Sequence, residues 1–126
     1  MERNTRQRQI IRQVFEEADR PLGPQEVLEA CQAYAPGLGI ATVYRTVKAL
    51  VEEAWLISVA LPGEPSRYEI AGKAHHHHFH CRACNRVFEI GDCPTAVQQM
   101  APHGFHLEAH EVVLYGVCTT CAKPAA

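Results

Sequence analysis

Residues 75–90 read "HHHHFHCRACNRVFEI", with five histidines and two cysteines in the first ten positions. The run is internal, is broken by Phe79 and passes directly into Cys81-Arg-Ala-Cys84, so it belongs to a fold and is not a purification tag. A second Cys-x-x-Cys, Cys118 and Cys121, follows after the 33 intervening residues 85–117. Two such hooks supply four thiolates to one tetrahedral ion, the closed geometry of a structural zinc site. The rival reading, redox dithiols or disulfides, is disfavoured in a reducing compartment. Zinc here ties the end of the chain to the first strand of a domain too small to build a large core.

The histidines need a separate account. Side chains alternate faces along a strand, so His76, His78 and His80 point one way and His75 and His77 the other. His-x-His on one strand places two imidazoles around a single ion, and this run does so on both faces. A solvated polar edge strand is the plainer alternative, but a borderline metal held by imidazole and carboxylate is the usual use of the pattern.

The remaining composition sets the frame. The chain has 126 residues, 47% of them hydrophobic and 21% charged, which fits a globular protein of one domain or two small ones. No apolar run approaches a membrane span and the N-terminus has no signal-peptide core, so a cytoplasmic protein is expected. Net charge is −2, so any contact with nucleic acid must rest on local basic patches such as Arg3, Arg6, Arg8 and Arg12.

Outward from the histidine run, the first half of the chain reads as three helices and a hairpin. Ile10, Ile11, Val14, Phe15 and Ala18 recur at helical spacing over residues 4–18. Gly23-Pro24-Gln25-Glu26 starts a second helix, with Pro at its first position and Val27, Leu28 and Cys31 as its buried stripe. The third helix, about 41–54, buries Val43, Val47, Leu50, Val51 and Ala54 and presents Ala41, Tyr44, Arg45 and Lys48 on the opposite face. "WLISVAL" and "RYEI" are strands around the turn "PGEPS". These are the parts of a winged helix-turn-helix, residues 1–72. A hinge at 73–74 leads to residues 75–126, where "HHFHC", "RVFEI" and "EVVLYGV" read as strands and Thr95–Ala101 as a short helix. The fold class is therefore α+β, a winged helix followed by a small α/β dimerisation domain with a structural zinc site.

The order of "ATVYRTVKAL", "RYEI", "HHHHFHCRAC", "FHLEAHEVVLYGVC" and the closing Cys-x-x-Cys resembles the ferric uptake regulator superfamily of metal-responsive repressors over nearly the whole chain. The resemblance implies a homodimer that binds operator DNA, an AT-rich palindrome, when a regulatory divalent metal is present. It places Tyr44 and Arg45, with Thr42 and Lys48 on the same helix, at the DNA, Tyr44 against a thymine methyl and Arg45 on a base or phosphate. Arg6 and Arg67 are further candidates for phosphate contacts, or else ordinary solvated arginines. The family's interdomain sensing site maps to Glu69, His76, His78 and Glu89. Its usual histidine before the second helix is Pro21 here, a departure that weakens any carry-over of iron-based peroxide sensing and for which His80, on the same face as His76 and His78, is a candidate replacement. A second family site maps to His75, His77 and His110, with Cys93 at the acid's position, either as ligand or as a small buried residue. A thiolate there favours zinc over iron or manganese as the sensed ion. Cys31 belongs to the core.

Two other classes fit part of the pattern. His106-Leu-Glu108 followed by Cys118-x-x-Cys121 echoes a zinc deaminase, but no proline precedes Cys118 and Cys81 and Cys84 would be left without a role. A zinc-bound interaction module without a DNA role differs from a repressor in showing no metal-dependent retardation of a palindromic duplex. The expectation is a regulator and not an enzyme.

Overall fold

The computed structural model describes residues 2–122, with the backbone alone for residues 2–4. The side chain of Arg3 therefore lies outside the described residues. The chain divides into two compact units, with the boundary between Gly72 and Lys73.

In the first unit, helices α1 (Glu2–Ala18), α2 (Pro24–Cys31) and α3 (Ile40–Glu52) precede the strands β1 (Leu56–Val59) and β2 (Arg67–Ile70). Each helix forms because its apolar residues recur on one face. Ile11, Val14 and Phe15 of α1, Val27 and Cys31 of α2, and Val43, Val47 and Leu50 of α3 are all buried in one cluster. Trp55 caps this cluster, edge-on to Phe15 at 6.4 Å and covered by the Arg12 guanidinium at 4.7 Å. The start of α2 is held by Glu26, whose carboxylate accepts the Gly23 N–H at 3.3 Å.

β1 and β2 pair antiparallel, Leu56 opposite Ile70 and Val59 opposite Arg67. Leu22 adds a bridge to this hairpin, exchanging both backbone hydrogen bonds with Tyr68 at 2.8 and 2.9 Å. That bridge fixes the wing to the α1–α2 connection. The Trp55 N–H closes the end of α3 on the Leu50 carbonyl at 2.9 Å, which puts Ala54 at φ 63°.

The second unit is built differently. Strands β3 (His77–Cys81), β4 (Val87–Ile90) and β5 (Val113–Gly116) form a sheet in the order β4-β3-β5, and a short helix α4 (Thr119–Ala122) follows. β3 and β4 form an antiparallel hairpin, and β5 runs parallel to β3, with His78 opposite Val113 and Cys81 opposite Gly116. A parallel partner needs a long crossover, here residues 91–112. Its only helical stretch is a 3-10 helix, Thr95–Met100, with no buried residue. The α/β character expected of this domain is thus reduced to that 3-10 helix and the one turn of α4. A run of TAVQQM offers too few apolar positions to dock an α-helix on the sheet.

Among the described residues of this unit, the buried side chains are His77, His80, Cys81 and Val87. Among the described residues, no apolar cluster comparable to that of the first unit exists here. Phe79 and Phe88 face one another across the hairpin, and the absence of a side chain at Gly116 lets β5 lie close, since a Cβ there would stand 3.1 Å from the Phe79 ring.

Ala54 adopts a left-handed conformation that costs an L-residue about 1 kcal/mol. Ala54→Gly is expected to raise the stability of the first unit by roughly that amount. Denaturant unfolding followed at Trp55 measures it, and a lower midpoint in the variant would contradict the assignment.

Candidate metal centres and DNA-facing helix

Cys81 ends β3, Cys84 lies in the hairpin turn, Cys118 follows β5 and Cys121 sits in α4. The β3–β5 pairing brings these four positions together, and their sulfurs all lie within 4.8 Å of one another. Cys84 and Cys118 are 3.9 Å apart, close to the edge of about 3.8 Å that a tetrahedron of 2.3 Å zinc–sulfur bonds requires. Backbone N–H groups of Cys118 and Cys84 point at the Cys81 sulfur at 3.3 and 3.5 Å. Those N–H groups bring the Cys81 thiol down to about 6. Cys121 moves the other way, its proton held chiefly by the Cys118 sulfur. One thiolate is therefore prepared by the backbone, whereas joint ionisation of the set requires a cation. The donor set fits a structural zinc.

His75, His77, Cys93 and His110 form a second cluster. His75 Nε2 is 3.1 Å from both His77 Nε2 and His110 Nε2. The Cys93 sulfur is 2.9 Å from His110 Nε2 and 3.3 Å from His77 Nε2. Burial, reinforced by the neighbouring imidazoles, pushes the His77 pKa down, which keeps the ring neutral as a metal ligand must be. Three imidazole nitrogens and one thiol sulfur can close a tetrahedron on one ion. The cluster joins the histidine run to both ends of the 91–112 crossover.

The opposite face of the run carries His76 and His78, with rings 4.9 Å apart. His76 precedes the strand, where a bend at residue 75 lets its ring fold towards His78. Its Nδ1 lies 2.8 Å from the Ala74 carbonyl, so Nδ1–H donates there and Nε2 presents its lone pair. Glu89 stands opposite His78 on β4, with Oε1 3.8 Å from His76 Nε2, and forms an ion pair with Lys73. Glu69 is on β2 of the first unit, opposite Ile57.

His80 joins neither histidine cluster. Strand geometry sets it about 6.6 Å beyond His78, and its Nε2 is 2.6 Å from Asn85 Oδ1, where the turn residue Asn85 has φ 63°. It is a bracing residue of the hairpin and does not stand in for the family histidine replaced at Pro21. His106 and Glu108 are exposed in the crossover, and all four cysteines of the two hooks are spent in one closed cluster, so the deaminase arrangement is not assembled.

On α3, Tyr44, Arg45 and Lys48 are exposed, and Arg45 donates to the Thr42 hydroxyl at 3.1 Å. Tyr44, Lys48 and the wing residue Tyr68 border a largely apolar hollow of about 550 Å³. Arg6 is exposed on α1. Arg67 is otherwise engaged: its buried guanidinium lies 3.2 Å from Glu64 and 3.9 Å from Glu26. The wing arginine therefore braces the hairpin against α2 and is not presented to a phosphate. Local sequence does not reveal that pairing, because Glu26 is far away in the chain.

A winged helix joined to a sheet that carries clustered cysteines and histidines is the build of a metal-responsive regulator. This chain belongs to the ferric uptake regulator family, whose model matches residues 2–115. It is 34% identical over 123 residues to a ferric uptake regulation protein of Campylobacter jejuni, covering 93% of this chain and 78% of that one. It is 30% identical over 122 residues to the zinc uptake regulation protein of Mycobacterium tuberculosis, covering 94% of each. Among solved structures, a zinc-bound manganese uptake regulator superposes with a TM-score of 0.76 at 27% identity, over 89% of this chain and 87% of that one. No helix among the described residues is long and apolar enough to cross a membrane.

Replacing Cys84 with Ser should remove about one tightly held zinc per chain and unfold the second unit while the helices of the first persist. Zinc content and circular dichroism measure this. A folded variant with unchanged zinc would refute the structural assignment.

Proposed function

We propose that this protein is a zinc-responsive transcriptional repressor that binds an AT-rich palindromic operator as a homodimer. The choice of zinc is supported by the histidine-rich run, by the cluster of His75, His77, Cys93 and His110 with three nitrogens and one sulfur within reach of a single ion, and by Pro21 in place of a family ligand at the His76–His78 face. A thiolate and imidazoles in tetrahedral order suit zinc, whereas manganese prefers an octahedral set of oxygens. The names of the relatives divide between iron, zinc and manganese, and the donor atoms favour zinc among them.

The regulatory ion sits at His76 and His78, with Glu69 and Glu89 as the carboxylates that the family resemblance supplies. Glu69 belongs to the DNA-binding unit and the histidines to the other. Occupancy therefore favours one arrangement of the units only by its greater affinity for that arrangement. Dimer formation is supported by the sheet order, which leaves β5 as an edge strand with Leu114, Tyr115 and Val117 exposed. A two-fold dimer then matches the two half-sites of a palindrome. DNA contact is assigned to Tyr44 and Arg45, with Thr42 orienting the arginine.

The test is operator retardation titrated separately with zinc, manganese and ferrous iron, with the cysteine centre filled throughout. Zinc should act at the lowest concentration, and a response to manganese or iron alone would refute the metal choice. Arg45→Ala should weaken operator binding by about 1–3 kcal/mol without unfolding the protein; unchanged affinity would mean that the DNA-reading helix is misassigned. His76→Ala combined with His78→Ala should give a folded dimer that keeps its cysteine-bound zinc and has lost metal-induced DNA binding. Metal-dependent retardation by that double variant would exclude these histidines as the sensor.

A further inference from the structure

We infer that Lys73 is a resident competitor for the cation at the His76–His78–Glu89 face, an ammonium that holds the carboxylate until a metal displaces it. The inference rests on the proposed reading that this face takes a regulatory ion, and it names a residue that sets the affinity.

Lys73 is the first residue of the second unit, and it directly follows Gly72, whose φ of 83° turns the chain at that point. From there its side chain reaches the Glu89 carboxylate on β4 and pairs with Oε1. The two side chains are only 20% and 19% exposed, so the pair is largely withdrawn from water. A carboxylate at that depth needs a cationic partner or hydrogen-bond donors to remain ionised.

The same oxygen, Glu89 Oε1, lies 3.8 Å from His76 Nε2. That nitrogen carries the lone pair, because Nδ1 of the ring faces the Ala74 carbonyl. His78 stands opposite Glu89 in the strand register, with its ring 4.9 Å from that of His76. A neutral imidazole nitrogen and a carboxylate oxygen at this distance suit a divalent cation with bonds of about 2.0–2.2 Å to each, once the carboxylate moves a few tenths of an ångström. The ammonium and a metal ion therefore compete for one oxygen.

Two consequences follow. A metal must displace a positive charge that already neutralises its ligand, so affinity is lower than the ligand set alone would give. Once displaced, Lys73 no longer ties the start of the second unit to β4, so metal occupancy is reported at the residue where the two units join in sequence. Lys73→Met keeps the length of the stem but removes the charge, and Lys73→Arg keeps the charge.

The probe is Co²⁺, titrated into full-length protein whose thiolate centres hold zinc. Weak visible ligand-field absorption without sulfur-to-cobalt charge transfer marks binding by nitrogen and oxygen alone. Lys73→Met should bind cobalt roughly tenfold more tightly than the parent, and Lys73→Arg within about twofold of it. Unchanged or weaker binding by Lys73→Met would overturn the inference, since the lysine would then be a spectator or an organiser of the carboxylate. The His76→Ala, His78→Ala variant tests the underlying reading separately. If that variant still shows the same sulfur-free cobalt signal, or the parent shows none, the ion does not bind at this face and both statements fall.

Discussion

Four cysteine sulfurs within 4.8 Å of one another are the constraint on which the second unit depends. Side by side they cannot all ionise without a cation between them: the neighbouring Cys118 sulfur above all holds the proton on Cys121, while the backbone N–H groups of Cys84 and Cys118 favour the thiolate at Cys81 alone. The donor set fits a zinc ion, which would resolve that conflict and would bind β3, the hairpin turn, the end of β5 and α4 into one body. The first unit has no need of such a device, because three amphipathic helices and a hairpin supply it with a dry core. The second has three short strands, a crossover without an α-helix and, among the described residues, only Cys81 and Val87 as buried apolar side chains. For a sheet of that size, metal binding free energy is folding free energy.

The same economy explains why the histidine run carries ligands on two faces. His75 and His77 reach Cys93 and His110 at the two ends of the crossover, segments that lack a core to dock against. His76 and His78 face Glu89 and the lysine that precedes the run. One face joins the unit to itself, and under the proposed function the other face responds to supply. Sensing and folding are then separated by the alternation of side chains along a single strand.

Much of this was legible in the sequence, for physical reasons that also show where legibility ends. Helical periodicity exposed α1, α2 and α3 and most of the buried face of each, because local spacing determines which residues share a stripe. Ala54 was misplaced on that face, since α3 ends at Glu52 and the left-handed turn leaves Ala54 exposed. The Cys-x-x-Cys hooks announced a shared centre because few other uses suit that spacing in a reducing setting. What could not be read depends on pairing between distant residues. Arg67 is taken by Glu26 and Glu64, His80 by Asn85 and Glu89 by Lys73, and each pairing follows from strand register and turn geometry. The parallel placement of β5 was equally hidden, since a strand's pattern does not state its direction relative to a partner. Cys93 could be placed on the ligand side only once the crossover brought it to His110.

Residue-resolved hydrogen exchange on the intact protein, before and after zinc is removed by a strong chelator, tests the central claim most directly. If metal replaces a core in the second unit, amides of β3, β4 and β5 should lose their protection on chelation, while those of α1, α2 and α3 keep theirs. Retention of protection across β3 and β5 in the metal-free protein would contradict the account.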